Sequence, residues 1–506
     1  MNDCEMPYEK DEITLYNPIY ETICVNPIKK VKEYISRNSY NKYTFVDISG
    51  VKRECFKKYI TLVDYVKFLI GKYKPEHMKT LPASTHVIDS SYNEYIHSIH
   101  NYAYVDGFFY YLTSKLKDVG FVHGIDFYDS YICLTKDCNI NISDDFEYLC
   151  DSGFFNDNLN KLFRFKDPSF NTMFQKKEPV SISDENIEIE ADELSGEEDE
   201  PMVLEDIIPD ECFQSDLCYC ESDHSTVDNS DDECDIAEDS EDEWSTDDSS
   251  VDVEVEELTL IIDKIPTQVV SIECCEMTFD SILESDKITM EELESAMFQV
   301  IVMLHVYQTV FQFTHNDLHT NNIMYITTDK THLSYKINNV YYKIPTYGKI
   351  YKIIDFGRSI YTVKDTLICS DSFSENGTAH TQYNFKPFYN PDKPVIEPNP
   401  SFDLCRLACS MVDFIVEDFR HIDDYKKVPV YDMILSWLYD DNNVNILYKK
   451  NGEERYPDFK LYKMIARLVH HHTPEKQFGH ECFKKYITTK HKGVMDLDKI
   501  KSQVHL

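Results

Sequence analysis

The residues best suited to chemistry lie in Phe313-Thr-His315-Asn-Asp317-Leu-His319-Thr-Asn-Asn322 and, later, in Tyr351-Lys-Ile-Ile-Asp355-Phe-Gly357. The first segment reads H-x-D-L-x-x-x-N, and the second is an apolar run ending in D-F-G. Phosphoryl transfer from ATP needs one group to orient the acceptor hydroxyl and two oxygen ligands to hold Mg²⁺ against the phosphates. Asp317 and Asn322 share one loop, and Asp355 enters from the next hairpin. Asp317 is expected to take or orient the hydroxyl proton. Asn322 and Asp355 are expected to offer the hard oxygen donors that the metal prefers. The bland alternative is a set of acidic loop residues facing water, and the two motifs occurring together and in order argue against it.

A loop of this kind needs rigid elements on both sides. Thr289-Met-Glu-Glu292 is a capping box. The helix it opens carries Leu293, Ala296, Met297, Val300, Ile301 and Leu304, an apolar stripe running towards His315. Upstream, Val269-Val-Ser-Ile272-Glu-Cys-Cys-Glu276 reads as a buried strand ending in a linker. Tyr43–Asp47 and Glu54–Leu62 also read as strands. Val105, Phe108, Phe109, Leu112 and Leu116 recur at helical spacing over 102–116. Gly120–Gly124 and Phe127–Leu134 are expected to form two short strands.

The chain has 506 residues and a net charge of −41. Most of that charge sits between Ser181 and Leu260, which holds 33 acids and no Lys or Arg. Such a stretch cannot bury enough surface to offset chain entropy, so it is expected to be a disordered insertion. Ser195, Ser230 and Ser240 stand just ahead of acids, a spacing that resembles sites for acidophilic kinases; solubilising serines are the plain alternative. The amino terminus has no apolar leader, and no apolar run is long enough to span a bilayer. Sixteen Cys then suggest reduced thiols inside a cell, cytoplasmic or nuclear.

Cys212, Cys218, Cys220, His224 and Cys234 lack any C-x-x-C pair and match no standard zinc module. His470-His-His472 reads as a polar surface run. No basic patch with interleaved aromatics stands out, so direct nucleic-acid binding is not expected. The acidic insertion could meet a basic, histone-like partner, although a solvated spacer is the simpler reading.

The motifs resemble those of eukaryotic-type protein kinases of the haspin-like branch and of related kinases of large DNA viruses. Asp317-Leu-His319 is followed by an enlarged hairpin with Ile344-Pro-Thr-Tyr-Gly348, and Ser401-Phe-Asp403-Leu-Cys-Arg406-Leu resembles that branch's F-D-x-x-R-L. The resemblance is specific over 269–416. It implies an α+β, bilobal fold whose β-rich N-lobe carries the acidic insertion and whose C-lobe is mainly helical. The corresponding parts are an extension (1–40), a first N-lobe part (41–177), the insertion (178–257), a final strand and hinge (258–275) and the C-lobe (276–500).

The resemblance further implies Mg²⁺-dependent transfer of the ATP γ-phosphate to Ser/Thr hydroxyls of a protein, a basic one included. If the source is viral, the site of action is a host cell or virion. Lys58 is expected to reach the α/β-phosphates, with Lys57 as runner-up, and Asp106 to pair with it, with Glu94 as the alternative. Ile272-Glu273-Cys274 matches a hinge whose backbone would bond adenine. His315 is expected to pack near D-F-G. His319 stands where most such kinases have a Lys on the transferred phosphate, and Asn316 replaces the Arg that pairs with a phosphorylated activation segment. Asp403 is expected to bind the backbone of the catalytic loop.

Three features depart from the pattern. No G-x-G-x-x-G precedes Lys58, no clean A-P-E follows Gly357, and Glu481–Thr488 repeats Glu54–Thr61 letter for letter. Two rival readings stay open: a pseudokinase scaffold, and a small-molecule phosphotransferase of the aminoglycoside or choline kinase type.

Overall fold

The computed structural model describes residues 6–8, 12–27, 29–83, 90–143, 145–174, 258–285, 288–449, 452–490 and 492–505. The acidic stretch 178–257, with its serines and its Cys/His cluster, lies outside them. Among the described residues the chain is a mixed α+β structure, and no helix is long and apolar enough to cross a membrane.

The first sheet contains β1 (Ile13–Thr14), β2 (Val31–Arg37), β3 (Lys42–Asp47), β4 (Lys52–Thr61), β5 (Phe127–Asn141), β6 (Phe163–Phe165) and β7 (Thr259–Ile272). Its antiparallel order is β1-β5-β7-β4-β3-β2, with β6 also against β7. The interior strand β7 is buried on both faces from Ile265 to Ile272, and it encloses Thr267, Gln268 and Ser271 along with its apolar residues. On β4 the period of two sends Lys57 and Lys58 to opposite faces, and Lys58 lies opposite Val270.

Several expectations need correction here. Part of the span expected to be an extension lies in the sheet, because β1 and β2 pair within it. Each strand is too short, or too exposed as an edge, to show a clear period. Gly120–Gly124 is a turn, not a strand: the chain reverses at Gly120, whose φ of +88 lies in the left-handed region that favours glycine. The strand expected over Phe127–Leu134 continues to Asn141.

Helix α1 (Tyr102–Asp118) packs against β7. A Cβ at Gly107 would overlap the Gln268 side-chain amide and touch Val270, so glycine is what allows this approach. Helix α2 (Phe279–Glu284) follows the linker, and α3 (Met290–Phe311) opens with the expected Thr289/Glu292 capping box. Helices α4 (Phe402–Ile415), α5 (Phe459–Leu468) and α6 (Glu481–Lys484) complete the part that concerns the site.

The enlarged hairpin is nested. The outer pair is β8 (Ile323–Thr327) with β11 (Lys349–Ile353), and the inner pair is β9 (His332–Ile337) with β10 (Val340–Pro345). Asn338 and Asn339 both have positive φ at the inner turn, as a two-residue type I′ connection requires. Strands β12 (Ile360–Val363) and β13 (Thr366–Cys369) form a second hairpin after D-F-G. Near the end of the chain, β14 (Ile487–Thr488) and β15 (Met495–Asp496) add to the inner pair in the order β14-β10-β9-β15.

The repeated octapeptide adopts two structures. Glu54–Thr61 lies within strand β4, whereas Glu481–Thr488 forms α6 and then β14. Long-range packing overrides local propensity here.

Candidate active site

The loop that follows α3 is fixed at its backbone. Gln312 ends the helix in the left-handed region, and Thr314 exchanges both backbone hydrogen bonds with Ile360 of β12. Asp403, fully buried on α4, accepts the backbone N–H groups of His315 and Asn316, each at 2.9 Å. Burial pushes the Asp403 carboxyl up to about 7, against the pull of those two donors.

Asn316 sits in the left-handed region, fully buried. Its amide nitrogen donates to the carbonyls of Thr314 and Arg358, and the Tyr383 hydroxyl donates to its Oδ1 at 2.7 Å. The position expected to lose a phosphate-binding Arg is thus a neutral knot in the interior. His315 meets the Ile354 carbonyl through Nε2 at 2.9 Å, and its ring lies 5.7 Å from that of Phe356. Phe356 in turn packs 4.7 Å from Phe109 of α1, so a column of rings joins helix α1, the D-F-G segment and the loop.

Lys58 joins helix α1 to the D-F-G segment. Its Nζ lies 3.0 Å from Asp106 Oδ1 and 2.8 Å from Asp355 Oδ1. Burial disfavours the ammonium, but the two carboxylates outweigh it and hold the proton firmly. Lys58 in turn holds the Asp355 carboxyl below the usual range, while burial pushes that of Asp106 up. Asp106 Oδ1 also accepts the Phe356 N–H at 2.6 Å, and the Asp355 N–H donates to the Tyr110 hydroxyl at 3.0 Å. Helix α1 therefore fixes the D-F-G backbone as well as the lysine.

The alternatives fall elsewhere. Glu94 is exposed on another helix. Lys57 is buried on the far face of β4, 3.6 Å above the Tyr34 ring, with its Nζ donating to the Tyr131 hydroxyl at 3.0 Å.

Around Asp317 the structure gathers side chains that sequence reasoning missed. The Tyr462 hydroxyl of α5 donates to Asp317 Oδ1 at 2.8 Å, and Arg406 Nε donates to the same hydroxyl at 2.9 Å. Arg358, directly after D-F-G, places a guanidinium nitrogen 3.3 Å from Asp317 Oδ2. His319 Nε2 lies 3.0 Å from Asn322 Nδ2, which also donates to the Asp317 carbonyl. Burial lowers the His319 pKa, which favours the neutral ring. The fixed positive charge beside Asp317 comes from Arg358, not from the loop's own histidine. Adjacency to D-F-G was the one sequence signal for Arg358, and nothing local marks Tyr462.

The linker carries less than expected at one point. The Glu273 N–H already donates to the Asp126 carbonyl at 2.9 Å, and its carboxylate meets Lys352 at 3.2 Å. An adenine edge would therefore have to use the Glu273 carbonyl and the backbone of Cys274 and Cys275.

The β2–β3 turn lies beside Lys58, because the Asn41 carbonyl accepts the Lys57 N–H at 2.7 Å. It contains no glycine. Arg37 bonds the Ser39 and Tyr40 carbonyls, and Tyr40 packs 5.9 Å from the Tyr59 ring. Side chains hold this turn in the form that a glycine-rich sequence would leave flexible.

No protein-family model matches the chain, and no curated protein matches it.

The donor chemistry suits a hard cation. The Asn322 amide nitrogen is committed to donation, which leaves Oδ1 as an acceptor, and the Asp355 side chain is half-exposed to the cleft. Among the described residues, no group of three His, Cys, Asp or Glu could hold a metal by itself. A divalent ion here would need phosphate oxygens to complete its shell, the usual situation for Mg²⁺.

Proposed function

We propose that the chain is an ATP- and Mg²⁺-dependent protein kinase of bilobal, haspin-like type that phosphorylates Ser/Thr hydroxyls. The acidic insertion then interrupts the N-lobe between β6 and β7, and the linker Glu273–Glu276 is the hinge. The observation that carries this reading is Lys58 bridging Asp106 and Asp355, in the same cleft as Asp317 and Asn322. Salt-bridge networks also occur as scaffolding. Here the network ties the Asp of D-F-G to a strand lysine and a helix carboxylate, and phosphoryl transfer uses such a lysine on the phosphates beside a metal-binding Asp.

In this reading Lys58 neutralises the α/β-phosphates under the β2–β3 turn. Asn322 and Asp355 would hold Mg²⁺, which would supply Lewis-acid stabilisation of phosphate charge. Asp317 accepts the acceptor hydroxyl's proton as the new O–P bond forms and the bond to the ADP oxygen breaks. Arg358 lies where it can offset charge on the transferred group.

Nucleotide binding provides the test. ATP with Mg²⁺ at about 100 times its Kd stabilises the folded chain by about 2.7 kcal/mol, read as a rise in Tm. ATP with EDTA is expected to give little shift, as is Mg²⁺-ATP with Asp355→Asn. Equal shifts with and without the metal would count against the site.

A further inference from the structure

Helix α5, which delivers Tyr462 to Asp317, also carries Lys460, Lys463 and Arg467 at positions i, i+3 and i+7, so the three cations share one face. The Lys463 Nζ lies 5.5 Å from the centre of the Phe459 ring, which stacks on that of Tyr462. The segment after β13 comes alongside, with Arg467 Nη2 donating to the Thr381 carbonyl at 2.9 Å. The Asn399 amide donates to the carbonyls of Ile465 and Val469.

Lys393 belongs to that same segment and adds to the positive field, which also reaches His380. The pKa of Lys463 is lowered by burial and then by Arg467, Lys393 and Lys460. That of His380 is lowered by burial and then by Lys393, with Lys463 contributing and Glu375 opposing. Among the described residues none of Lys393, Lys460, Lys463 and Arg467 forms an ion pair. The exposed acids Glu375 and Asp458 leave them unpaired.

Four cations thus stand without ion partners on and beside the helix that brings Tyr462 to Asp317. Resting on the kinase reading, we propose that this face binds the residues flanking the acceptor hydroxyl and that the preferred substrate is an acidic peptide segment. Carboxylates beside the acceptor would neutralise the α5 face, whereas a basic peptide would be repelled from it. The cleft acids do not offset this, because Asp317 and Asp355 already face Arg358 and Lys58. A nucleic acid fits less well. It gains affinity by placing many phosphates on cations, and this face offers four.

The test uses the full chain with labelled ATP and two peptides, each with one Ser flanked either by Asp/Glu or by Lys/Arg. The acidic peptide is expected to have the higher kcat/KM by about tenfold, the sum of two or three exposed charge pairs, and the advantage is expected to shrink at high salt. Lys460→Glu/Lys463→Glu is expected to invert the preference. Binding of an acidic peptide with Ala in place of Ser, read by fluorescence anisotropy, is expected to weaken by a similar factor in that variant. Asp317-dependent transfer that favours the basic peptide, or is indifferent, overturns the inference and leaves the kinase reading intact. Acidic-peptide binding with no Asp317-dependent transfer to either peptide supports the docking face but overturns the kinase reading. A single-stranded oligonucleotide that displaces the acidic peptide at equal charge concentration overturns the choice of ligand.

Discussion

The Tyr462 hydroxyl donates to Asp317 Oδ1 at 2.8 Å across 145 residues of sequence, with Arg406 donating to the same hydroxyl from α4. Arg358 holds the other carboxylate oxygen. Asp317 is therefore oriented from three elements before any substrate arrives.

Tyr462→Phe keeps the ring and removes this one donor. A hydrogen bond to a charged group contributes about 1.5 kcal/mol, so kcat is expected to fall about tenfold. Steady-state kinetics separate the cases: a fall in kcat with KM for ATP moving little fits a positioning role, and a rise in KM alone does not.

Lys58→Met leaves Asp106 buried with its charge uncompensated, which costs about 3 kcal/mol. Lys58→Met/Asp106→Asn is expected to recover part of that loss, because Asn still accepts the Phe356 N–H. Urea unfolding of the two single variants and the double variant measures the coupling.

Gly107→Ala forces a methyl group into the Gln268 amide. Overpacking at a close contact costs about 1–3 kcal/mol. It also pushes α1 off β7, drawing Asp106 away from Lys58. Stability and Mg²⁺-ATP affinity are expected to fall together.

Asp371 accepts the Tyr102 N–H at the start of α1, and burial pushes its carboxyl from 3.8 up to about 7, with Lys67 opposing and Asp64 reinforcing the shift. Between those values the folded chain keeps a proton that the unfolded chain has released. Stability therefore falls as pH rises through the window and levels off above it. Asp371→Asn is expected to remove part of this slope and leave the rest, since Asp403 and Asp106 titrate in the same direction. Tm measured across the window reads the difference.

The chemistry-bearing loop was legible in the sequence because its residues are local to one another. Asp317 and Asn322 share a loop, the capping box at Thr289 marks α3, and the stripe of α1 has a clean helical period. The lysine position was legible because Lys57 and Lys58 must face opposite sides of a strand, although only the packing of α1 decides which side holds the acids. Arg358, Tyr462 and the α5 cations were not legible as a site, since long-range folding alone brings α5 to the loop. The octapeptide shows the limit most clearly. Within Glu54–Thr61 its second lysine is Lys58, and within Glu481–Thr488 it is Lys485, which lies 2.6 Å from Glu294. The same eight letters lie within one strand in one place and make a helical turn and then a short strand in the other.

That duplication gives the most direct measurement, transfer of labelled γ-phosphate to a protein acceptor and to the chain itself. The wild type, Asp317→Ala, Lys58→Met and Lys485→Met are compared at equal concentration. Transfer by the wild type and by Lys485→Met, with loss of at least about a hundredfold in Asp317→Ala and Lys58→Met, is the expected result. Equal transfer by Asp317→Ala and the wild type, or no transfer by any of the four, would contradict a kinase site built on Lys58, Asp317, Asn322 and Asp355.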